Sequence, residues 1–178
     1  SRPITAIFLA DVSGSMAGSR LKGLKKALLA GADFISSENE IGLITFSDVP
    51  TVVLEPKKFD LIQKAAFYAA VEDMSARGGT AMYDGIAVSL KKLLDVSKRA
   101  TNTKPMLFVL TDGKNTQGHE FEDLRKIVAG LSIPVYTIGY EANLPRLKEI
   151  SGLVEASSMN AGQGDVSYKI GNLLNAQM

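Results

Sequence analysis

The sequence contains no cysteine and only one histidine. Without cysteine there is no disulfide framework, no thiolate metal site and no thiol nucleophile, and the absence suits any cellular compartment. One histidine excludes a two-histidine metal site. Charge of one sign is also missing: 20 Lys and Arg face 19 Asp and Glu, a formal net charge of +1. Nothing therefore draws the chain to a polyanion, and nucleic acid is not expected as a partner. Long apolar runs are absent as well. Stretches such as Ala65 to Val71 fall far short of the roughly 20 residues a membrane-spanning helix needs, so no membrane insertion of this domain is expected. Neither a Walker phosphate loop nor a dinucleotide fingerprint occurs, since Gly162-Gln163-Gly164 lacks both the later glycine and a preceding strand.

What is present suits one compact unit. The 178 residues are 46% apolar and 22% charged, enough to bury a sizeable core, and residues 1–178 read as a single domain. The chain opens at Ser1 with no charged-then-apolar leader, which predicts a piece of a longer protein. Short Ile-, Val- and Phe-rich runs alternate with segments of helical period, the pattern of an α/β fold. Six strands are predicted: Ile4 to Ala10, Ile41 to Phe46, Thr51 to Leu54, Met106 to Leu110, Pro134 to Ile138, and one near Val154 to Ser157. The four-residue link Ser47-Asp48-Val49-Pro50 is too short for a parallel crossover, so the third strand is an antiparallel edge bracketed by Pro50 and Pro56. Predicted helices run through Leu21 to Ile35, Phe59 to Asp73, Met82 to Leu93, Phe121 to Leu131, Leu144 to Ile150 and Ile170 to Leu174. Lys22, Lys25 and Lys26 fall mostly off the apolar stripe of the first helix and read as a solvated face. Right-handed crossovers then give a three-layer, doubly wound, Rossmann-like sheet of order 3-2-1-4-5-6 with helices on both faces.

That order locates the chemistry. Open α/β sheets bind ligands beyond the carboxyl ends of their strands at the switch point, here between the first and fourth strands. Those strands run into Asp11-Val12-Ser13-Gly14-Ser15 and into Thr111-Asp112-Gly113. A third loop, Gly78-Gly79-Thr80, is expected at the same edge. Asp11, Ser13, Ser15, Thr80 and Asp112 would offer only oxygen, a donor set for a hard cation. Mg²⁺ is the expected ion, with Mn²⁺ or Ca²⁺ as alternatives; Ca²⁺ wants more oxygens, and Zn²⁺ prefers His or Cys. Alternate residues of an extended turn project to one side, which would let Asp11, Ser13 and Ser15 converge. The competing reading is capping, with Ser13 and Ser15 bonded to free amides of the following helix.

Other patterns are weaker. Ser19 to Lys22 and Ser89 to Lys92 spell Ser-x-x-Lys but lie in amphipathic helices and read as surface. His119, beside Glu120, Glu122 and Asp123 at a helix start, reads as exposed or capping. A phosphatase or phosphotransferase of the haloacid dehalogenase kind would use Asp11 as nucleophile beside Mg²⁺. It would also need an acid two residues later, where this chain has Ser13. A third alternative is a scaffold that binds metal for stability alone.

Together, Phe8-Leu9-Ala10-Asp11-Val12-Ser13-Gly14-Ser15-Met16, Gly78-Gly79-Thr80 and Val109-Leu110-Thr111-Asp112-Gly113 resemble the von Willebrand factor type A domains. The phrases around the motifs look more like bacterial members than animal ones. The resemblance implies a metal-ion-dependent adhesion site in which Ser13, Ser15 and Thr80 act through hydroxyls, Asp11 directly or through water, and Asp112 usually through water. It implies no enzyme but a protein-binding module for adhesion or complex assembly. With few carboxylates on the ion, a Glu or Asp presented by a partner protein can take an open position. The resemblance also implies a last helix, about Asp165 to Ala176, whose shift is coupled to binding. Rim residues expected to meet the partner are Ser47, Asp48, Arg77, Met82, Tyr83, Lys114 and Asn115.

Overall fold

A computed structural model describes residues 2–99, 102–113, 115–128, 130–139 and 158–160. Its strands are β1 Ile4–Asp11, β2 Glu40–Phe46, β3 Pro50–Lys58, β4 Lys104–Thr111, β5 Val135–Gly139 and β6 Ser158–Asn160. Its helices are α1 Ser19–Ala32, α2 Leu61–Asp73, α3 Met82–Arg99 and α4 Phe121–Val128, with a 3₁₀ turn at Gly14–Met16. The six strands form one sheet of order β3-β2-β1-β4-β5-β6, parallel throughout except for the antiparallel β2–β3 pair. This is the doubly wound layout expected from the sequence. Among the described residues no helix is long and apolar enough to cross a membrane.

The central strand shows why both faces are covered. Every residue of β1 is buried. Its alternation divides the core: Ile4, Ala6, Phe8 and Ala10 pack with α1 and α2 on one face, Ile7 and Leu9 with α3 and α4 on the other. On the first face Phe8 stacks on Phe108 with centroids 5.2 Å apart and meets the edge of Phe67 at 5.9 Å. Truncating Phe8 to alanine would cost about 3–5 kcal/mol. Helix α2 starts where Asp60 accepts a hydrogen bond from the Gln63 amide at 2.8 Å.

Several boundaries differ from expectation. β3 is longer than predicted and contains both prolines inside it. The edge tolerates them because Pro50 is the first residue of the strand and, near Pro56, the pairing with β2 shifts register between Ile41 and Leu43. There Gly42 leaves room: a Cβ would lie 3.0 Å from Pro56 and from the Leu54 carbonyl. α1 ends before Ile35, α2 starts after Phe59, α3 continues to Arg99, and α4 stops at Val128, where the Leu131 amide turns back to the Val128 carbonyl. The sixth strand lies at Ser158–Asn160, just beyond its predicted place. The expected helices at 144–150 and 165–176, with the coupled shift of the last one, and the glycines at 162 and 164 lie outside the described residues.

Candidate metal centre

Three loops meet at the carboxyl edge of the sheet. Asp11 is the last residue of β1, and register places Ala10 opposite Leu110, so Asp11 and Thr111 are lateral neighbours at the end of adjacent strands. Asp112 follows directly. The Gly78 loop is fastened to the first loop by two backbone bonds, Gly14 N–H to the Gly78 carbonyl at 2.9 Å and Arg77 N–H to the Val12 carbonyl at 2.9 Å. Gly78 adopts φ 77°, which favours glycine there, and a Cβ on Gly14 would press on the Gly78 oxygen at 3.3 Å. The loop after β4 is fastened to it in turn: Thr80 N–H donates to Thr116 Oγ1 at 2.9 Å, and Thr116 N–H to the Thr80 carbonyl at 2.8 Å.

Asp11, Ser13, Thr80 and Asp112 are all buried, while Ser15 is exposed. Oδ1 of Asp11 accepts from the Ser13 hydroxyl at 2.5 Å and from its amide at 2.9 Å; Oδ2 accepts from the Thr111 hydroxyl at 2.7 Å. The Ser15 hydroxyl donates to Oδ2 of Asp112 at 2.5 Å, and the two serine oxygens are 3.1 Å apart. Asp11, Ser13, Ser15 and Asp112 thus form one continuous string of oxygens. The convergence differs in origin from the expected extended turn, because Ser15 is swung inward by the 3₁₀ turn. Burial pushes the Asp11 carboxyl above the ordinary carboxylate range and the nearby Asp112 charge adds to this, against the hydrogen bonds from Ser13 and Thr111.

Capping does not account for these hydroxyls. Ser13 makes no side-chain bond to the 3₁₀ turn, and α1 is preceded by Gly18, which has none to give. The string instead contains three oxygen–oxygen contacts and only two hydroxyl protons. With both carboxylates ionised, one contact sets lone pair against lone pair. A cation among these oxygens relieves that repulsion, which makes the donor set chemically fit for a hard metal ion. Thr80 adds a buried hydroxyl, 3% exposed, with no hydrogen-bond partner among the described residues. No group of three or more His, Cys, Asp or Glu that could hold a metal exists among the described residues, so the fit rests on two carboxylates and three hydroxyls.

The rim departs from expectation. Met82 and Tyr83 are 0% and 3% exposed and belong to the core beneath α3, Tyr83 lying 5.9 Å from the Phe121 ring; neither can meet a partner. Asn115 is half-buried and caps α3, its Oδ1 accepting from the Met82 amide at 3.0 Å. Asp48 and Arg77 are exposed, and Ser47 is half-buried. Oδ1 of Asp48 accepts from the Gly79 amide at 2.7 Å. Lys114 lies outside the described residues. Ser89 is likewise no surface residue: it is buried, its hydroxyl donating to the Gly85 carbonyl at 2.8 Å. Lys22 and Lys26 are exposed as expected, whereas Lys25 is half-buried and its Nζ donates to the Glu72 carbonyl at 2.8 Å. Sequence reasoning missed Thr111, a buried hydroxyl closing an otherwise apolar strand, and Arg20, whose Nη1 stands 3.6 Å from Oδ2 of Asp112.

Comparison with known proteins agrees with this architecture. Residues 7–167 match the family model of the von Willebrand factor type A domain. An uncharacterized protein of Synechocystis sp. is 27% identical over 168 residues, covering 93% of this chain and 37% of its own length. The human inter-alpha-trypsin inhibitor heavy chain H4 is 31% identical over 123 residues, covering 65% of this chain and 13% of its own length. The chain therefore spans well under half of these curated relatives. Among solved structures, a von Willebrand factor type A protein from Catenulispora acidiphila superposes with a TM-score of 0.83 at 18% identity, covering 98% of this chain and 42% of that one. Proximal thread matrix protein 1 of the mussel byssus, solved with a zinc-occupied MIDAS motif, gives 0.76 at 19% identity, covering 97% of this chain and 46% of that one.

Proposed function

Because the chain belongs to the von Willebrand factor type A family, whose members commonly mediate protein–protein interaction, we propose that it binds a protein partner through a divalent metal ion. The residues that would hold the ion are Asp11, Ser13, Ser15, Thr80 and Asp112, and Mg²⁺ is the ion their oxygens suit best. The observation that carries the reading is the string of oxygens with fewer protons than contacts. When bound, the ion supplies an electrophilic position that an Asp or Glu of the partner can fill.

The chain's own residues prepare that position. Thr111 and Ser13 fix both oxygens of Asp11, which keeps the carboxylate in one orientation. The 3₁₀ turn brings the Ser15 hydroxyl to Asp112. The bonds between Thr80 and Thr116 hold the third loop against the site. Asp48 and Arg77 remain as exposed rim candidates beside it. The phosphotransfer alternative is not favoured: both oxygens of Asp11 already accept hydrogen bonds, and Ser13 occupies the place of the required acid.

The test is calorimetric titration of chelator-treated protein with Mg²⁺ and Mn²⁺, repeated on Asp11→Ala and Thr80→Ala. Saturable one-site binding lost in the first variant and weakened in the second is the expected result. A folded wild type that takes up neither ion would leave the site without its metal and overturn the reading. Binding of the ion with no response to any carboxylate ligand would favour the stabilising scaffold instead.

A further inference from the structure

A cation of the chain itself stands at the mouth of this site. Arg20, in the first turn of α1, reaches back so that Nη1 donates to the Ser15 carbonyl at 3.2 Å and lies 3.6 Å from Oδ2 of Asp112. The side chain of Asp112 is fully buried, and that of Arg20 is 25% exposed, so the pair spans the boundary between the oxygen cluster and water. The oxygen that Arg20 faces is also the one to which Ser15 donates.

We propose that Arg20 is a specificity-determining residue that weakens the site's hold on a divalent ion alone and makes the loaded site select a carboxylate. The inference rests on the metal-site reading above and deepens it. Two carboxylates neutralise a divalent cation. The guanidinium held beside them adds one positive charge next to the ion, and a neutral side chain at position 20 takes that charge away. Repulsion between the guanidinium and the ion in a part-exposed site amounts to about tenfold in affinity. The same charge draws in an anion, so a carboxylate arriving at the mouth of the site is favoured over a neutral oxygen ligand. In the ion-free protein its role reverses: Arg20 supplies counter-charge to Asp112 where two buried carboxylates repel one another.

A plain surface ion pair would do none of this, since such pairs contribute little and are screened by salt. The experiment is Mg²⁺ titration of the wild type, Arg20→Gln and Arg20→Lys in chloride and in acetate at equal ionic strength, with thermal unfolding of each in EDTA. Arg20→Gln is expected to bind Mg²⁺ about tenfold tighter in chloride and to unfold at a lower temperature in EDTA. Acetate is expected to tighten Mg²⁺ binding more in the wild type and in Arg20→Lys, which keep the positive charge, than in Arg20→Gln. If the glutamine variant does not fold, Arg20→Met, which keeps much of the aliphatic stem, takes its place. Equal or weaker Mg²⁺ affinity in the neutral variant overturns the inference while leaving the metal site intact, as does an acetate effect that is the same in both proteins or absent from the wild type. If neither protein binds Mg²⁺, the metal-site reading itself falls.

Discussion

The two ends of β1 both bury polar side chains and use them in opposite ways. At the amino end Asn39, fully buried, accepts from the Ile4 amide at 3.0 Å and donates to Ser36 Oγ at 3.3 Å, and its own carbonyl takes the Phe59 amide at 2.8 Å. Thr5 donates to Glu40 at 3.0 Å, and Glu40 stands 3.5 Å from the Arg99 guanidinium. Donors meet acceptors there, and charge is balanced where it approaches water. At the carboxyl end two carboxylates are buried together, three oxygen contacts share two protons, and the Thr80 hydroxyl has no partner among the described residues. One end closes its polar groups and holds the fold; the other buries two carboxylates together among hydroxyls with fewer protons than contacts. Burial alone does not mark a site. Burial of like charges side by side does.

The largest test of this contrast is Asp11→Asn. The amide keeps an acceptor for Ser13, and the Thr111 hydroxyl can turn to accept from the new amide, so packing survives. Mg²⁺ affinity should fall by about 100-fold or more, while the unfolding temperature in EDTA should rise because a buried charge is gone. The pH dependence has a definite sign. The Asp11 carboxyl is raised by burial, so the unfolded chain releases its proton first as pH rises. Wild-type stability in EDTA should therefore decline between the ordinary carboxylate range and the raised value, and Asp11→Asn should lack that decline. A variant less stable than the wild type in EDTA would break the contrast. Next in size is Asn39→Ala at the opposite end. It strands the buried Ile4 amide and should cost about 2–3 kcal/mol by denaturant unfolding, by the same amount in EDTA and in Mg²⁺.

The same contrast explains what the sequence could tell. Strand order was legible because β1 and β4 read as unbroken apolar runs and the link before Pro50 was too short for a crossover. The meeting of Asp11, Ser13, Ser15 and Asp112 was legible because the strands that precede them end side by side at the switch point. Less legible were features set by neighbours distant in sequence. Tyr83 looked like a rim aromatic, yet it turns inward against Phe121. Thr111 and Arg20 carry no motif; their importance comes from standing beside Asp11 and Asp112 once the strands pair. The 3₁₀ turn at Ser15 was invisible too, because Ser-Gly-Ser is compatible with extended and turned backbone alike.

Thr80→Val sharpens the comparison at one atom. The hydroxyl it removes is buried and satisfies no protein partner among the described residues, so the isosteric swap should leave stability in EDTA unchanged within about 0.5 kcal/mol. Mg²⁺ affinity should drop by about tenfold. A loss of stability in EDTA matching that of a bonded threonine would show that the hydroxyl holds the loop rather than awaiting a ligand.

The smallest expected effect lies in the strap over the open end. Residues 115–119 are held by Thr116 on Thr80, by Asn115 on the start of α3, and by His119, whose amide and Nδ1 meet Oδ1 of Asp84 at 2.9 and 2.6 Å. The hydrogen bond to Asp84, and then its charge, raise the His119 imidazole above its ordinary value of 6.5. A raised value means that the stabilisation is complete below the unfolded pKa and is lost as pH climbs through the folded one. Because the ring is exposed, salt screens the pair. His119 is the sole histidine, so its ring protons titrate without overlap in a proton NMR spectrum. The wild type should titrate above 6.5 and Asp84→Asn should return toward it, with Mg²⁺ affinity within about twofold of the wild type because Thr116, not His119, holds Thr80. Equal titration in the two proteins would detach His119 from α3 and leave Thr116 and Asn115 to hold the strap. A large fall in Mg²⁺ affinity would instead make the whole strap part of the site.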